Sequence, residues 1–177
     1  LAISARHTGR FTVAEQHLRR RLAWNQQVRW EDGTATVLTE LGFLSEQRGD
    51  ATGALRHHLG GFRAAQRSGE PRVTARSLDG LTGACALNGW HKDAAHLLGA
   101  AARVRQAVGA PLPGLDRTDV DRITTRTRQA LGADAFDDAV AVGRAQDPEP
   151  LIARLELEVD RDGPTTGPVS DSAPEAG

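Results

Sequence analysis

The stretch RGDATGALRHHLGGF, residues 48–62, is one copy of a repeat. It recurs forty residues earlier as TGRFTVAEQHLRRRL and forty residues later as NGWHKDAAHLLGAAA. Each copy has a glycine at its second position and an alanine five residues later: Gly9, Gly49 and Gly89 with Ala14, Ala54 and Ala94. Glycine suits the left-handed position just after a helix, and a small alanine lets two helices approach closely. The repeat therefore predicts a helix, a turn and a second helix in each copy.

Between these glycines, apolar residues recur at intervals of three and four, as one face of a helix requires. The clearest series are Leu38, Leu41 and Leu44; Ala75, Leu78, Leu81 and Cys85; and Ala94, Leu97, Leu98, Ala101, Val104 and Val108. These series predict the buried faces of paired helices. The fold class that follows is all-α, built from helical hairpins.

Further helices are predicted downstream of the three copies. They run from Asp119 to Leu131, from Asp134 to Val142 and from Leu151 to about Val159. Thr12 with Glu15 predicts a capping box at the start of the helix that follows Gly9. We therefore divide the chain into a helical-repeat domain over residues 1–160 and a disordered acidic tail over residues 161–177, where Pro, Gly and Ser are frequent.

The charge distribution argues against a nucleic-acid-binding surface. Residues 1–76 carry twelve Arg against seven acidic residues, and residues 147–177 carry two Arg against eight acidic residues. This gradient falls short of the basic face of a DNA-binding domain, and the RRRL run at residues 19–22 is typical of a solvated helix face. We expect no direct DNA binding by this piece.

The cysteine count and the length of the apolar runs predict the cellular compartment of the protein. A single cysteine excludes an internal disulfide framework and suits a reducing cytosol. No apolar run approaches the roughly 20 residues that cross a bilayer. We expect a cytoplasmic protein without a membrane partner. Because the sequence contains no Met, we also expect it to be a piece of a longer chain or a processed product.

The residues that could perform chemistry lack the required spacing. His57 and His58 are adjacent on a helix and point about 100° apart, whereas a helical zinc pair needs a spacing near four. His91 and His96 are five apart, which also misses one face. No P-loop and no GxSxG motif occurs, and Cys85 falls on an apolar face. The sequence predicts no metal site, no cofactor, no catalytic residues and no enzymatic activity.

Two stretches resemble known families. Leu41 and Gly42, followed by Gly49 and Ala54, resemble a tetratricopeptide repeat, although that repeat is usually about 34 residues long and this one is forty. The stretch from residue 94 to 144 resembles the C-terminal helical-repeat region of large ATP-binding transcriptional regulators of actinomycetes, of the SARP and LuxR-like kinds. The similarity lies in LLGAAA, GAPLP, DR and LGADAF…A…GRA, taken in that order.

These resemblances imply a short right-handed superhelix of tetratricopeptide-like hairpins that senses signals or binds protein partners, while separate domains bind nucleotide and DNA. The partner expected is a protein or peptide, or another domain of the same regulator. A free-standing tetratricopeptide-like scaffold is the alternative.

By analogy with such repeats, the first helix of each pair lines an inner groove. The residues that this places in the groove are Thr36, Thr39, Phe43, Gln47, Arg76 and Asp79. They alternate with the predicted packing residues of the same helices. Phe43 would then be an exposed apolar anchor for a partner, and the alternative is that Phe43 belongs to the core between repeats.

Overall fold

The computed structural model describes Arg6, residues 9–112 and residues 114–161. Within these residues the chain forms eight helices and no strand, so the all-α prediction is confirmed. The helices are α1 Phe11–Gln27, α2 Glu31–Gln47, α3 Ala51–Ser68, α4 Pro71–Leu87, α5 His91–Ala107, α6 Gly114–Leu131, α7 Ala133–Ala145 and α8 Glu149–Arg161. None of the described helices is both long and apolar enough to cross a bilayer. The predicted tail, from residue 162 onward, and the expectation about the start of the chain at Leu1 lie outside the described residues.

The first five helices begin at intervals of twenty residues, at positions 11, 31, 51, 71 and 91. Each is preceded by a residue with positive φ two positions earlier: Gly9, Arg29, Gly49, Gly69 and Gly89, with Gly109 continuing the series after α5. The forty-residue repeat thus consists of two twenty-residue units, and each unit is one helix with its turn. The predicted helix ends at Gly49 and Gly89 are confirmed, with φ values of 76° and 80°, and Gly9 has the same left-handed conformation, with φ of 73°.

Several predicted boundaries differ from the structure. The capping box of Thr12 and Glu15 is wrong, because the N-cap of α1 is Arg10, two residues before Thr12, and no side chain caps this helix. The corresponding cap exists in the next copy, where the Asp50 carboxylate accepts a hydrogen bond of 2.8 Å from the Gly53 amide. Helix α6 begins five residues before the predicted Asp119. The downstream helices are longer than predicted because apolar periodicity marks only the part of each helix that packs.

A continuous hydrophobic core joins α2 to α6 and also α8. Its larger members are Phe43, Leu59, Phe62, Leu78, Leu81, Leu97, Ile123, Ile152 and Leu155. Helix α8 is held to α3 by Arg63, which donates to the carboxylates of Glu149 and Glu156 at 2.5–2.7 Å. The last helix is therefore part of the core.

Two glycines allow α5 and α7 to pack with their backbones in contact. A methyl group on Gly99 would collide with the carbonyl oxygen of Val140, and one on Gly143 would collide with the carbonyl oxygen of His96. No side chain separates the two helices at this point. The position of α7 is thus fixed by van der Waals contact between main chains.

A buried histidine fills the junction of α2, α3 and α4. The imidazole of His58, from α3, is fully buried and occupies the space that side chains on Gly42 of α2 and Gly80 of α4 would need. Its Nε2 lies 2.8 Å from Oε1 of Glu46, and its ring meets that of Phe43 edge to face at 5.0 Å. The two glycines therefore make the room that the imidazole occupies.

We predict that Arg29→Gly stabilises the protein. Arg29 has φ of 54°, the only positive value at a non-glycine residue in the described part of the chain, and this conformation costs an ordinary L-residue about 1 kcal/mol or more. The free energy of unfolding, measured with urea, should rise by about 1 kcal/mol. The converse variant, Gly49→Ala, should lower it by a similar amount, and a destabilised Arg29→Gly protein would contradict the prediction.

We predict that Gly80→Ala destabilises the protein by about 2 kcal/mol or more, because the new methyl group collides with the buried His58 ring. Gly60→Ala is the matched control, since its methyl group meets only Leu38 Cδ1, at 3.4 Å, and should be neutral or stabilising. In a His58→Ala background the cost of Gly80→Ala should largely disappear. An equal cost in both backgrounds would show that the imidazole is not the cause.

Candidate interaction site

Charged side chains are buried together between α2, α4 and α6. Glu40, 1% exposed, accepts a hydrogen bond of 3.0 Å from Arg6 Nε and is also ion-paired with Arg76. Arg6 Nη2 donates a hydrogen bond of 2.9 Å to the Asp119 carboxylate. The Arg6 guanidinium also lies over the Phe43 ring, 5.2 Å from its centroid. Residues 113 positions apart in the chain, Arg6 and Asp119, are thus joined directly.

Two further carboxylates of these helices also face arginines. The buried carboxylate of Asp79 is ion-paired with Arg105 of α5. Glu46, besides contacting His58, lies 3.4 Å from Arg122, which also approaches Asp119 at 3.5 Å. Each buried carboxylate therefore faces an arginine. Because breaking such a pair leaves a charge in a low-dielectric interior, these contacts favour one arrangement of the helices over others.

The six predicted groove residues differ widely in their exposure. Thr36 is half-buried and donates to the Asp32 carbonyl, and Arg76 is half-buried against Glu40. Asp79 is buried against Arg105. Two more, Thr39 and Phe43, are 1% and 3% exposed, and of the six only Gln47 is exposed.

Burial limits which of the predicted groove residues a partner can contact. Thr39 approaches Ser77 at 3.4 Å, and Phe43 lies in the central core, as in the alternative raised from the sequence. Binding of a partner by this stripe stays a prediction, but Thr39, Phe43 and Asp79 offer it almost no accessible surface. Gln47 is the member that a partner can reach directly.

A second group of residues lies on the outside of α1. The side chains of His17, Arg20, Arg21, Trp24 and Trp30 line a shallow depression open to solvent. Trp24 is 54% exposed and Trp30 42% exposed. The two indole rings meet edge to face at 6.3 Å, and the Arg21 guanidinium lies 5.8 Å from the Trp30 ring centre. We call these five residues, with the exposed Val13 and Val28 of the same face, the tryptophan surface.

Histidine and cysteine side chains bind metals or act as nucleophiles in many proteins, so their surroundings in this fold are relevant. In the described residues, no group of three or more His, Cys, Asp or Glu side chains is arranged to hold a metal ion. His57 points toward the Ser45 hydroxyl at 3.3 Å, and burial, followed by the neighbouring His58, lowers the pKa of His57. Burial also raises the pKa of the Cys85 thiol far above its usual value, which disfavours the nucleophilic thiolate.

Sequence reasoning missed both clusters. Glu40 lies on the apolar face of α2, three residues after Val37 and four before Leu44, and an acidic residue in the middle of such a face is a signal for a buried partner. The partners themselves, Arg6 and Asp119, follow no local pattern. For the tryptophan surface the signal is the series Val13, His17, Trp24 and Val28, whose spacing marks a second apolar face on α1.

Comparison of the chain with protein-family models, with curated proteins and with solved structures gives no match.

We predict that Phe43→Ala lowers stability rather than acting only on partner binding. Phe43 is 3% exposed and contacts the His58 ring and the Arg6 guanidinium, so truncation leaves a cavity beside a buried charge. The free energy of unfolding should fall by about 3–5 kcal/mol. Gln47→Ala, one turn further on the same helix and exposed, should change it by less than about 0.5 kcal/mol. Lost partner affinity at an unchanged melting temperature for Phe43→Ala would instead support a direct partner contact.

Proposed function

We propose that this chain is a protein-interaction module. The observation that carries the proposal is the tryptophan surface, where two large aromatic side chains, Trp24 on α1 and Trp30 at the N-cap of α2, remain exposed. Exposed Trp and Arg side chains are those that most often dominate the binding energy of protein interfaces. Helical hairpins suit such a role because each pair adds a rigid, elongated surface to the next.

We further propose that the module is the C-terminal, signal-sensing part of a bacterial transcriptional regulator in the cytoplasm. The resemblance of residues 94–144 to actinobacterial SARP and LuxR-like regulators supports this, together with the regular run of helical hairpins. We propose that these hairpins form a short right-handed superhelix like that of tetratricopeptide repeats, with a longer repeat. A free-standing scaffold is the second candidate, since a run of similar hairpins also serves proteins that only bring partners together.

The module is proposed to act without binding DNA itself. Several arginines of the basic half are already engaged by carboxylates: Arg19 and Arg48 with Glu15, Arg67 with Glu31, and Arg63 with Glu149 and Glu156. These pairs reduce the charge available for phosphate contacts, which supply most of the affinity in non-specific DNA binding. Catalysis is not part of the proposal, because the buried carboxylates are neutralised by arginines.

The proposal predicts a specific protein adduct in cells. A photo-crosslinking amino acid is placed, one position at a time, at Trp24, Gln47, Arg126 and Leu157, which are exposed and distributed over the chain. We expect one or two of these positions to give a discrete adduct with a protein, identified by mass spectrometry. The same protein without irradiation is the control.

The identity of the adduct separates the two candidates. One adduct with an ATP-binding or DNA-binding domain supports the regulator, whether that domain is on the same polypeptide or on another. Adducts with several unrelated proteins support the scaffold. Absence of any protein adduct at all four positions would contradict an interaction module of either kind.

A further inference from the structure

We propose that the tryptophan surface binds an acidic amphipathic helix, laid along α1. This inference rests on the proposed interaction function and adds to it the place of binding and the chemistry of the partner.

The shape of the surface fits a helical partner. Val13, His17, Arg20, Trp24 and Val28 follow one another at intervals of four, three, four and four residues, so they form one stripe along the helix. At 1.5 Å per residue the stripe is about 22 Å long, or about four helical turns. An extended row of this kind matches the apolar stripe of a second helix.

The stripe is a second packing face, in addition to the one that α1 already uses. Ala14, Leu18 and Asn25 are buried on the other side of the helix, where Leu18 joins the cluster with Val37 and Leu41 of α2. The solvent side nevertheless keeps Val13 at 42%, Trp24 at 54% and Val28 at 49% exposure. An ordinary surface helix has only one apolar face.

The aromatic residues of the stripe are held in position before binding. The Trp24 ring rests edge to face against Trp30, and the Arg21 guanidinium packs over the Trp30 ring. Restricting these side chains in the free protein reduces the entropy lost when a partner covers them. The pair thus forms an anchor with a basic rim.

The charge of the surface selects an acidic partner. Residues 11–30 contain four arginines and one acidic residue, Glu15, whose two oxygens are engaged by Arg19 at 2.9 Å and Arg48 at 2.6 Å. Neither Arg20 nor Arg21 has a carboxylate within ion-pair distance in the part of the chain that the structure describes. A helix with Glu or Asp beside its apolar stripe would supply the missing negative charge.

The arrangement favours a helix over two other classes of anionic partner. In a membrane-bound helix the cations flank the apolar face, whereas here Arg20 lies between His17 and Trp24, in the middle of the stripe. A nucleic-acid strand needs cations along its whole path and ring faces free for stacking. The stripe instead has valine at both ends, and the two indole rings pack against each other.

The test is direct titration of the full chain with a fluorescein-labelled, 18-residue peptide of Ala, Leu and Glu, in which Leu forms one helical stripe flanked by Glu. Fluorescence anisotropy should show saturable one-to-one binding that weakens as salt is raised. Trp24→Ala and the pair Arg20→Glu, Arg21→Glu should each weaken binding by about tenfold or more. These residues are exposed, so the melting temperature should change little.

Matched controls keep the result specific to this surface. Leu157→Ala removes an apolar side chain that is 58% exposed on α8, and Arg117→Glu with Arg126→Glu reverses two exposed charges on α6. Both should bind the peptide within about twofold of the unmodified chain. A peptide with Lys in place of Glu should bind at least about tenfold more weakly, because like charges then face each other.

Several results would overturn the proposal. One is that the Lys peptide binds as tightly as the Glu peptide, and another is that the control variants weaken binding as much as Trp24→Ala does. A third is that a single-stranded oligonucleotide or anionic vesicles bind more tightly than the Glu peptide and that this binding is lost with Trp24→Ala. Self-association abolished by Trp24→Ala would assign the surface to a second copy of the chain. In each case a protein adduct at Gln47 in the crosslinking experiment would still support an interaction module, so the two proposals fail separately.

Discussion

The imidazole of His58 is the contact on which the packing of α2, α3 and α4 depends. It belongs to α3, but the space for it is made by Gly42 and Gly80 on the two neighbouring helices, and its hydrogen-bond partner Glu46 comes from α2. A flat, rigid ring between two glycines tolerates little displacement, because the interior is close-packed. The approach of α2 to α4 at this point is therefore limited by the imidazole between them.

The buried ion pairs also restrict how the helices can be arranged relative to one another. Glu40, Arg6 and Asp119 connect three parts of the chain that are far apart in sequence. Buried ion pairs contribute little net stability compared with apolar packing, but a shifted arrangement would leave charges unpaired and is therefore disfavoured. Apolar packing thus supplies the stability of the fold, and the ion pairs oppose alternative packings. The paired interior leaves few polar groups for a partner, so the recognition that we propose would use the exterior.

The tryptophan surface and the buried cluster therefore have different roles. Trp24 and Arg20 are exposed on a helix whose opposite face is anchored in the core through Leu18. A rigid support of this kind lets exposed side chains bind without first reorganising the protein. The groove residues predicted from the sequence, which include Phe43, contribute mainly to packing. Gln47, the last of them on α2, is exposed and remains available for contact.

Local sequence signals determined the all-helical fold, the turns at Gly9, Gly49 and Gly89, and most of each buried face, because backbone preferences and apolar periodicity act over a few residues. The prediction that Val108 is buried is wrong, since it follows the last turn of α5 and is 41% exposed. They also supported the structural interpretation of His57 and His58, since adjacent positions on a helix point in different directions. Only the tertiary structure decided that Phe43 is buried and that Trp24 is exposed. Burial depends on which distant segment covers a residue, as Arg6 and Asp119 show by meeting across 113 positions, and no local pattern encodes that encounter.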